Sequence, residues 1–192
     1  QFATDHGLPR SMSITSGGPG EGKSLTSVAI AIHFARMGLK VALIDADMRN
    51  PSVHKKLHLD NSVGLSNYLS GACTPPDAFQ STEIANLAIM AAGPIPPNAA
   101  DLLAGPKFLS LVTNSLEIFD LVMVDGPPVL GLADALLLSS CAEATIFVVG
   151  ADKARKASVT GALKRLEFSK TPVIGSVLTK FDSKHAGYGY GY

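Results

Sequence analysis

Residues 17–24 read GGPGEGKS, a glycine-rich stretch that fits the pattern G-x-x-x-x-G-K-[ST]. The run SMSITS at residues 11–16 has the character of a short strand, and a helical stretch follows over residues 23–38. Glycines let backbone N–H groups turn toward phosphate oxygens, and the helix N-terminus adds partial positive charge. Strand, loop and helix in this order therefore predict a phosphate-binding loop, in which Lys23 reaches the β- and γ-phosphates and Ser24 ligates Mg²⁺.

Short apolar runs alternate with longer helical stretches along the rest of the chain. The further predicted strands cover residues 40–46, 86–91, 120–125, 144–150 and 172–179, and the further helices cover residues 99–104, 106–117, 132–140 and 156–168. Strands that alternate with helices predict βαβ units and a mostly parallel sheet with helices on both faces. We therefore predict an α/β, three-layer P-loop NTPase fold over residues 1–181, followed by a flexible, polar, glycine-rich tail at 182–192.

Three aspartates stand at the ends of predicted buried strands. Asp45 and Asp47 close the second strand in IDADMR, and Asp125 closes a later one in MVDGPP. The carboxyl ends of parallel strands share one rim with the phosphate loop, and Mg²⁺ bound to a triphosphate needs carboxylates there. A strand-terminal aspartate can also cap the segment that follows. Three of them in one such chain favour the metal site.

Composition excludes several classes of protein. Hydrophobic residues make up 46% and charged residues 17% of the 192 residues, which indicates a globular domain. Sixteen basic and sixteen acidic residues cancel, whereas nucleic-acid binders are usually basic. Cys73 and Cys141 form no metal-ligand spacing and fit a reduced setting. No apolar run is long enough to span a bilayer, and the start at Gln1 suggests a piece of a longer protein.

The motifs GGPGEGKS, ALIDADMR and LVMVDGPP together resemble those of the bacterial tyrosine kinases of exopolysaccharide and capsule export systems. In that family they are called Walker A, A′ and Walker B. The resemblance covers nearly the whole chain, including the PIPPN loop at residues 94–98 and a C-terminal tyrosine cluster. It implies an ATP-dependent protein-tyrosine kinase with ATP and Mg²⁺ at its site.

The resemblance also implies roles for individual residues. Lys23, Asp45, Asp47 and Asp125 are the implied catalytic residues. Asp47 and Asp125 complete the metal site with Ser24, and Asp45 is the base for the acceptor hydroxyl. Arg49 of the A′ motif is expected to support the site. The implied nucleotide contacts are Gly18, Pro19, Gly20, Glu21, Gly22, Lys23, Ser24, Leu25 and Arg49, with Thr179 and Lys180 standing where the family usually has an asparagine near the adenine.

The end of the chain carries three tyrosines, Tyr188, Tyr190 and Tyr192, separated by single glycines. A polar tail cannot build a core around them, so they are either a tyrosine-rich end without function or phosphoacceptors. Beside an ATP site we predict that they are phosphoacceptors. Residues 180–192 span roughly 40 Å when extended. That reach favours transfer between subunits, as in the family.

The resemblance implies partners as well. They are further copies of the chain in a homo-oligomer, a membrane activator segment on the same chain or on a partner protein, and a cognate tyrosine phosphatase. The family's E-x-x-R-x-x-R assembly motif is absent from these residues. The implied location is cytoplasmic, at the inner or plasma membrane through a missing segment or a partner. No nucleic acid is expected as a ligand.

Other classes of P-loop protein are alternatives to the kinase interpretation. A partitioning or positioning ATPase without kinase activity carries a signature lysine five residues before the loop lysine, where this chain has Gly18. An iron–sulfur carrier of related fold needs a C-x-x-C pair, which Cys73 and Cys141 do not form. A module that only senses nucleotide is disfavoured because all three aspartates are present.

Overall fold

A parallel sheet forms the centre of the molecule, seen in a computed structural model that describes residues 7, 9–131 and 133–182. Within those residues the sheet has seven strands in the spatial order β3-β4-β2-β5-β1-β6-β7. The strands are β1 (Ser11–Ser16), β2 (Val41–Asp45), β3 (Phe79–Ser81), β4 (Leu87–Met90), β5 (Leu121–Asp125), β6 (Ala144–Gly150) and β7 (Val173–Thr179). All neighbours run parallel except β3, which pairs antiparallel with β4 at one edge.

Helices cover both faces of the sheet. They are α1 (Lys23–Arg36), α2 (Val53–Leu57), α3 (Leu65–Ser70), α4 (Pro75–Ala78), α5 (Ala99–Ala104), α6 (Pro106–Ser115), α7 (Asp134–Ser140) and α8 (Lys156–Leu166), the last followed by a 3₁₀ turn at Glu167–Ser169. None of these described helices has the length and hydropathy that a membrane span requires. The predicted α/β three-layer fold is confirmed.

The core divides along the pleat of the central strands. Val41 and Leu43 of β2 pack with α1 on one face. Ala42 and Ile44, the alternate residues of the same strand, pack with α3, α5, α6 and α7 on the other face. Side chains of successive strand residues point to opposite faces, so β2 is buried on both sides. Burial on both sides explains why the sequence of β2 is continuously apolar.

The long predicted elements agree with the structure to within a few residues. Helix α1 ends at Arg36, and Gly38 follows in the left-handed region at φ +95°, the backbone geometry of a helix stop. The predicted helix over 156–168 is an α-helix to Leu166 and a 3₁₀ turn beyond it.

The sequence predicts no helix or strand between residues 50 and 82, and the structure differs there. That stretch holds the short helices α2, α3 and α4 and the edge strand β3. Each is only three to six residues long, which is too short for a helical or strand periodicity to appear in the sequence.

Candidate active site

The turn between β1 and α1 forms the phosphate loop predicted from the sequence. Gly20 and Gly22 adopt φ angles of +74° and +91°, a region that side chains other than glycine rarely enter. The first helical hydrogen bond runs from Thr26 N–H to the Gly22 carbonyl at 3.0 Å. The N–H groups of residues 23–25 precede that bond and have no acceptor within the helix. They are available to an anion at the helix N-terminus.

Lys23 lies among carboxylates at the start of α1. Its Nζ lies 2.7 Å from Oδ2 of Asp47 and 3.4 Å from Oγ of Ser24. Burial by itself disfavours the ammonium. The negative charges of Asp125 and Asp47 outweigh that effect and raise the pKa of Lys23 above its ordinary value. The lysine is therefore charged at neutral pH, and it lies on the wall of the cavity beside the loop.

Asp125 ends β5 and is fully buried. Its Oδ1 accepts a hydrogen bond from the Ser27 hydroxyl at 2.9 Å. Its Oδ2 has no hydrogen-bond partner among the described residues. Burial raises the pKa of Asp125, and the nearby Lys23 charge offsets part of that rise. A buried carboxylate oxygen without a donor is costly, so this atom points to a ligand such as a metal-bound water.

Asp45 stands beside Asp125 because the two residues are register partners on neighbouring strands. Its carboxylate accepts backbone N–H groups from Asp47, Ser52 and Val53 at 3.0–3.2 Å, and its side chain is fully buried. Burial, followed by the charge of Asp125, raises the pKa of Asp45 to about 7. The base role assigned to Asp45 stays a prediction.

A cavity of about 420 Å³ opens between the phosphate loop and the segment that follows β2. Its wall is formed by Pro19, Gly20, Gly22, Lys23, Ser24, Leu25, Asp47, Arg49, Asn50, Ser52, Lys56 and Pro128. Most of the predicted loop contacts are on this wall. Asp45, Asp125, Gly18, Glu21, Thr179 and Lys180 are not on it.

The residues present fit Mg²⁺ held together with phosphate. Within the described residues no three His, Cys, Asp or Glu side chains form a metal site on their own. Mg²⁺ at nucleotide sites uses few protein ligands and takes the rest from phosphates and water. The Ser24 hydroxyl, the Asp47 carboxylate and the unpartnered oxygen of Asp125 supply the required oxygen ligands.

Comparisons with known proteins agree with this geometry. A family model described as ParA, NUBPL iron-transfer P-loop NTPase, matches residues 8–179. The tyrosine-protein kinase YwqD of Bacillus subtilis is 38% identical over 191 residues, which are 99% of this chain and 81% of YwqD. Among solved structures, the chimerical protein CapA2B2 has a TM-score of 0.89 at 34% identity, covering 94% of this chain and 79% of that one.

The kinase domain of the Escherichia coli tyrosine kinase ETK has a TM-score of 0.88 at 28% identity, covering 96% of this chain and 72% of that one. The chain belongs to the P-loop bacterial tyrosine kinases. It lies within the broader ParA group of P-loop NTPases, and its enzyme class is protein-tyrosine kinase. The family resemblance drawn from the motifs is confirmed. Iron transfer belongs to the member named in the family description, and this kinase chain has only two cysteines, Cys73 and Cys141.

Four of the residues expected to contact the nucleotide have protein partners instead of a place on the cavity wall: Gly18, Glu21, Thr179 and Lys180. Both carboxylate oxygens of Glu21 accept backbone N–H groups, and its carbonyl oxygen accepts the Thr179 hydroxyl at 2.5 Å. Lys180 pairs with Asp152 at 3.2 Å on the surface. Their contacts with a nucleotide stay predictions. Tyr188, Tyr190 and Tyr192 lie outside the described residues.

Two further site residues were not found from the sequence of this kinase chain. Ser27 follows Lys23 by one helical turn and donates its hydroxyl to Asp125. The i, i+4 spacing places it on the same helix face as Lys23, which is the sequence signal that could have predicted it. Asp134, at the start of α7, accepts the Arg49 Nε–H at 2.8 Å and is almost fully buried. No local pattern joins these two residues, which are 85 positions apart. The pair holds Arg49 on the cavity wall.

Proposed function

We propose that this chain transfers the γ-phosphoryl group of Mg-ATP to tyrosines of its own C-terminal cluster, between subunits of a homo-oligomer. The observation that carries the proposal is the meeting of Lys23, Asp47 and the unpartnered Asp125 oxygen at the phosphate loop. Such a set neutralises phosphoryl charge and holds Mg²⁺, which is what phosphoryl transfer requires. Tyr188, Tyr190 and Tyr192 supply the acceptor hydroxyls in this proposal.

Each chain residue has a distinct task in the proposed reaction. Lys23 leaves Asp47 for the phosphoryl oxygens and offsets their charge. Ser24, Asp47 and Asp125 would hold Mg²⁺, which would offset the charge of the transferred group. A phenol has a pKa near 10 and keeps its proton at neutral pH, so Asp45 accepts that proton as the tyrosine oxygen attacks. Positioning and electrostatics supply most of the rate.

The Asp45 part of the proposal requires a local rearrangement. Asp45 is fully buried and already accepts three N–H groups, two of them from Ser52 and Val53. A carboxylate has about four lone-pair positions, so one acceptor position remains beside these bonds. The acceptor hydroxyl reaches it when the segment after β2 shifts outward. Apo geometry of catalytic hydrogen bonds commonly tightens only in the substrate complex.

The wider role follows from the family resemblance and belongs to the proposal. We assign the chain to regulation of exopolysaccharide polymerisation or export, at the inner or plasma membrane. A membrane activator segment switches the kinase on, and a cognate tyrosine phosphatase reverses the modification. Each phosphotyrosine adds about −1.5 to −2 charges, which is the signal that such a partner would read.

A tail variant tests the proposed acceptor. Tyr188, Tyr190 and Tyr192 are changed together to Phe, and phosphotyrosine is measured after incubation with Mg-ATP. We expect most autophosphorylation to be lost, because the hydroxyls are removed, while the affinity for Mg-ATP stays within about twofold. Tyr68→Phe is the matched control, since Tyr68 is the fourth tyrosine of the chain.

The outcomes separate the alternatives. Undiminished phosphotyrosine in the triple variant contradicts the tail as acceptor. ATP hydrolysis by the wild type without any phosphotyrosine contradicts the kinase proposal and supports the partitioning-type ATPase. Mixing a Lys23→Met chain that keeps its tail with a tail-less active chain tests transfer between subunits, which predicts phosphate on the Lys23→Met chain.

A further inference from the structure

Glu21 is a buried acid inside a loop built to receive phosphate. It is 5% exposed, and it is absent from the cavity wall although its neighbours Gly20 and Gly22 are on it. A carboxylate on the cavity side would repel a triphosphate. Glu21 is instead turned to the opposite side of the loop, where burial of its charge requires donors.

Two backbone N–H groups supply those donors. Gly18 N–H donates to Oε1 of Glu21 at 2.9 Å, which closes the loop on itself. Gly150 N–H donates to Oε2 at 3.4 Å, which ties the loop to the last residue of β6. Hydrogen bonds to a carboxylate are stronger than those between neutral groups. The side chain of Glu21 therefore connects the start of the phosphate loop, at Gly18, with the end of β6, at Gly150.

The backbone of Glu21 makes a third connection. Thr179, the last residue of β7, donates its hydroxyl to the Glu21 carbonyl oxygen at 2.5 Å. The packing leaves little room on this side of the loop. A Cβ placed on Gly22 would come within 3.1 Å of the Thr179 hydroxyl oxygen, and one on Gly150 within 3.2 Å of the Glu21 Cα. The ends of β6 and β7 thus contact the phosphate loop directly.

We propose that Glu21 is a positioning residue that holds the phosphate loop in its nucleotide-receiving shape before the nucleotide binds. Together with Gly18, Gly150 and Thr179 it forms the loop clasp. Three glycines in a five-residue stretch make a free loop costly to order, and a ligand that must order it binds more weakly. The loop clasp orders the loop before the nucleotide binds, so the binding free energy does not include that cost. In this proposal Glu21 acts through the loop backbone, from the side of the loop opposite the cavity.

The inference rests on the nucleotide-binding part of the proposed function, and calorimetric titration of the full chain with Mg-ATP tests it. Glu21→Ala removes both carboxylate bonds, and we expect the Kd for Mg-ATP to rise about tenfold, which corresponds to roughly 1.4 kcal/mol. Glu21→Gln keeps one acceptor oxygen and should give a smaller rise. Thr179→Val removes the hydroxyl with little change of shape and should also weaken binding.

A double-mutant cycle distinguishes positioning from general stability. Because both groups hold one loop, the effects of Glu21→Gln and Thr179→Val on Kd should be non-additive. At saturating Mg-ATP the kcat for phosphotyrosine formation should stay within about twofold, so that the change is confined to KM. Glu83→Gln, an exposed glutamate before β4, is the matched control with no expected effect on Kd.

These measurements test the loop clasp and the proposed function separately. A wild-type chain that does not bind Mg-ATP contradicts the proposed function. A wild-type chain that binds, alongside clasp variants with unchanged Kd, overturns the loop clasp. Variants whose only change is a lower Tm also overturn it, since Glu21 would then be structural. If Glu21→Ala does not fold, the milder Glu21→Gln and Thr179→Val variants decide in the same way.

Discussion

The centre and the edge of the sheet contribute to the site in different ways. Every residue of β1, β2 and β5 is buried, and β2 and β5 end in the carboxylates Asp45 and Asp125. Strand β7 is the opposite case. All of its residues are exposed or half-buried, and Leu178 is 56% exposed. Its last residue, Thr179, supports the phosphate loop by donating its side-chain hydroxyl to the Glu21 carbonyl oxygen.

The difference separates charge chemistry from loop support. Carboxylates that end fully buried strands lose solvent, which raises the pKa of both Asp45 and Asp125. That arrangement is costly to folding and useful to metal binding, because a buried anion attracts a cation strongly. An exposed edge strand cannot create such a field.

Asp125→Asn should lower the kinase activity and raise the stability of the fold. We expect kinase activity to fall by about 10²–10³-fold, since a carboxylate of the proposed metal site is lost. The Tm without nucleotide should rise by about 2–4 °C, because the buried charge and its repulsion of Asp45 are removed. Thermal unfolding in EDTA and a phosphotyrosine assay measure the two effects.

Asp120→Asn is the matched control for that variant. Asp120 immediately precedes the same strand at its opposite end, is exposed, and accepts the Lys40 backbone N–H at 2.8 Å. Its change should leave the activity within about twofold. A lower Tm in Asp125→Asn would contradict the view that the buried carboxylate destabilises the apo fold.

The pH dependence of stability tests the same burial. The pKa of Asp45 in the folded chain is about 7, against an ordinary value of 3.8, so the folded state keeps a proton that the unfolded chain releases. The free energy of unfolding should therefore fall as pH rises from about 4 to about 7, by on the order of a few kcal/mol. Urea unfolding in EDTA at pH 5 and pH 7.5 measures this.

Asp45→Asn supplies the control for the pH experiment. The variant cannot titrate at this position, so its stability should change less between pH 5 and pH 7.5 than that of the wild type. The raised pKa of Asp125 acts in the same direction and leaves a residual slope. Equal slopes in the two proteins would show that Asp45 is ionised throughout this range.

The sequence predicted the centre of the sheet better than the rest of the fold. Strands buried on both faces are continuous apolar runs, and the phosphate loop has a fixed pattern, so β1, α1, β2 and β5 were all found. Helices α2 to α4 and strand β3 were missed because such short elements depend on tertiary packing. The conformation of Glu21 depends on Gly150, 129 residues away, and no local pattern reports such a contact.

A pair of truncations compares the centre of the sheet with its edge directly. Ile14→Ala removes a fully buried side chain from β1 and should cost about 2–5 kcal/mol of unfolding free energy. Leu178→Ala removes an exposed side chain from β7 and should change it by less than about 0.5 kcal/mol. Urea unfolding measures both. Similar costs at the two positions would contradict the contrast.

The central claim is that Lys23 and its carboxylates drive phosphoryl transfer to the terminal tyrosines. The most direct measurement incubates the purified chain with Mg-ATP, beside its Lys23→Met variant, and maps phosphotyrosine by mass spectrometry. We predict phosphate on Tyr188, Tyr190 or Tyr192 in the wild type and none in the variant. Equal phosphotyrosine in both proteins, or phosphate confined to other residues, would contradict the claim.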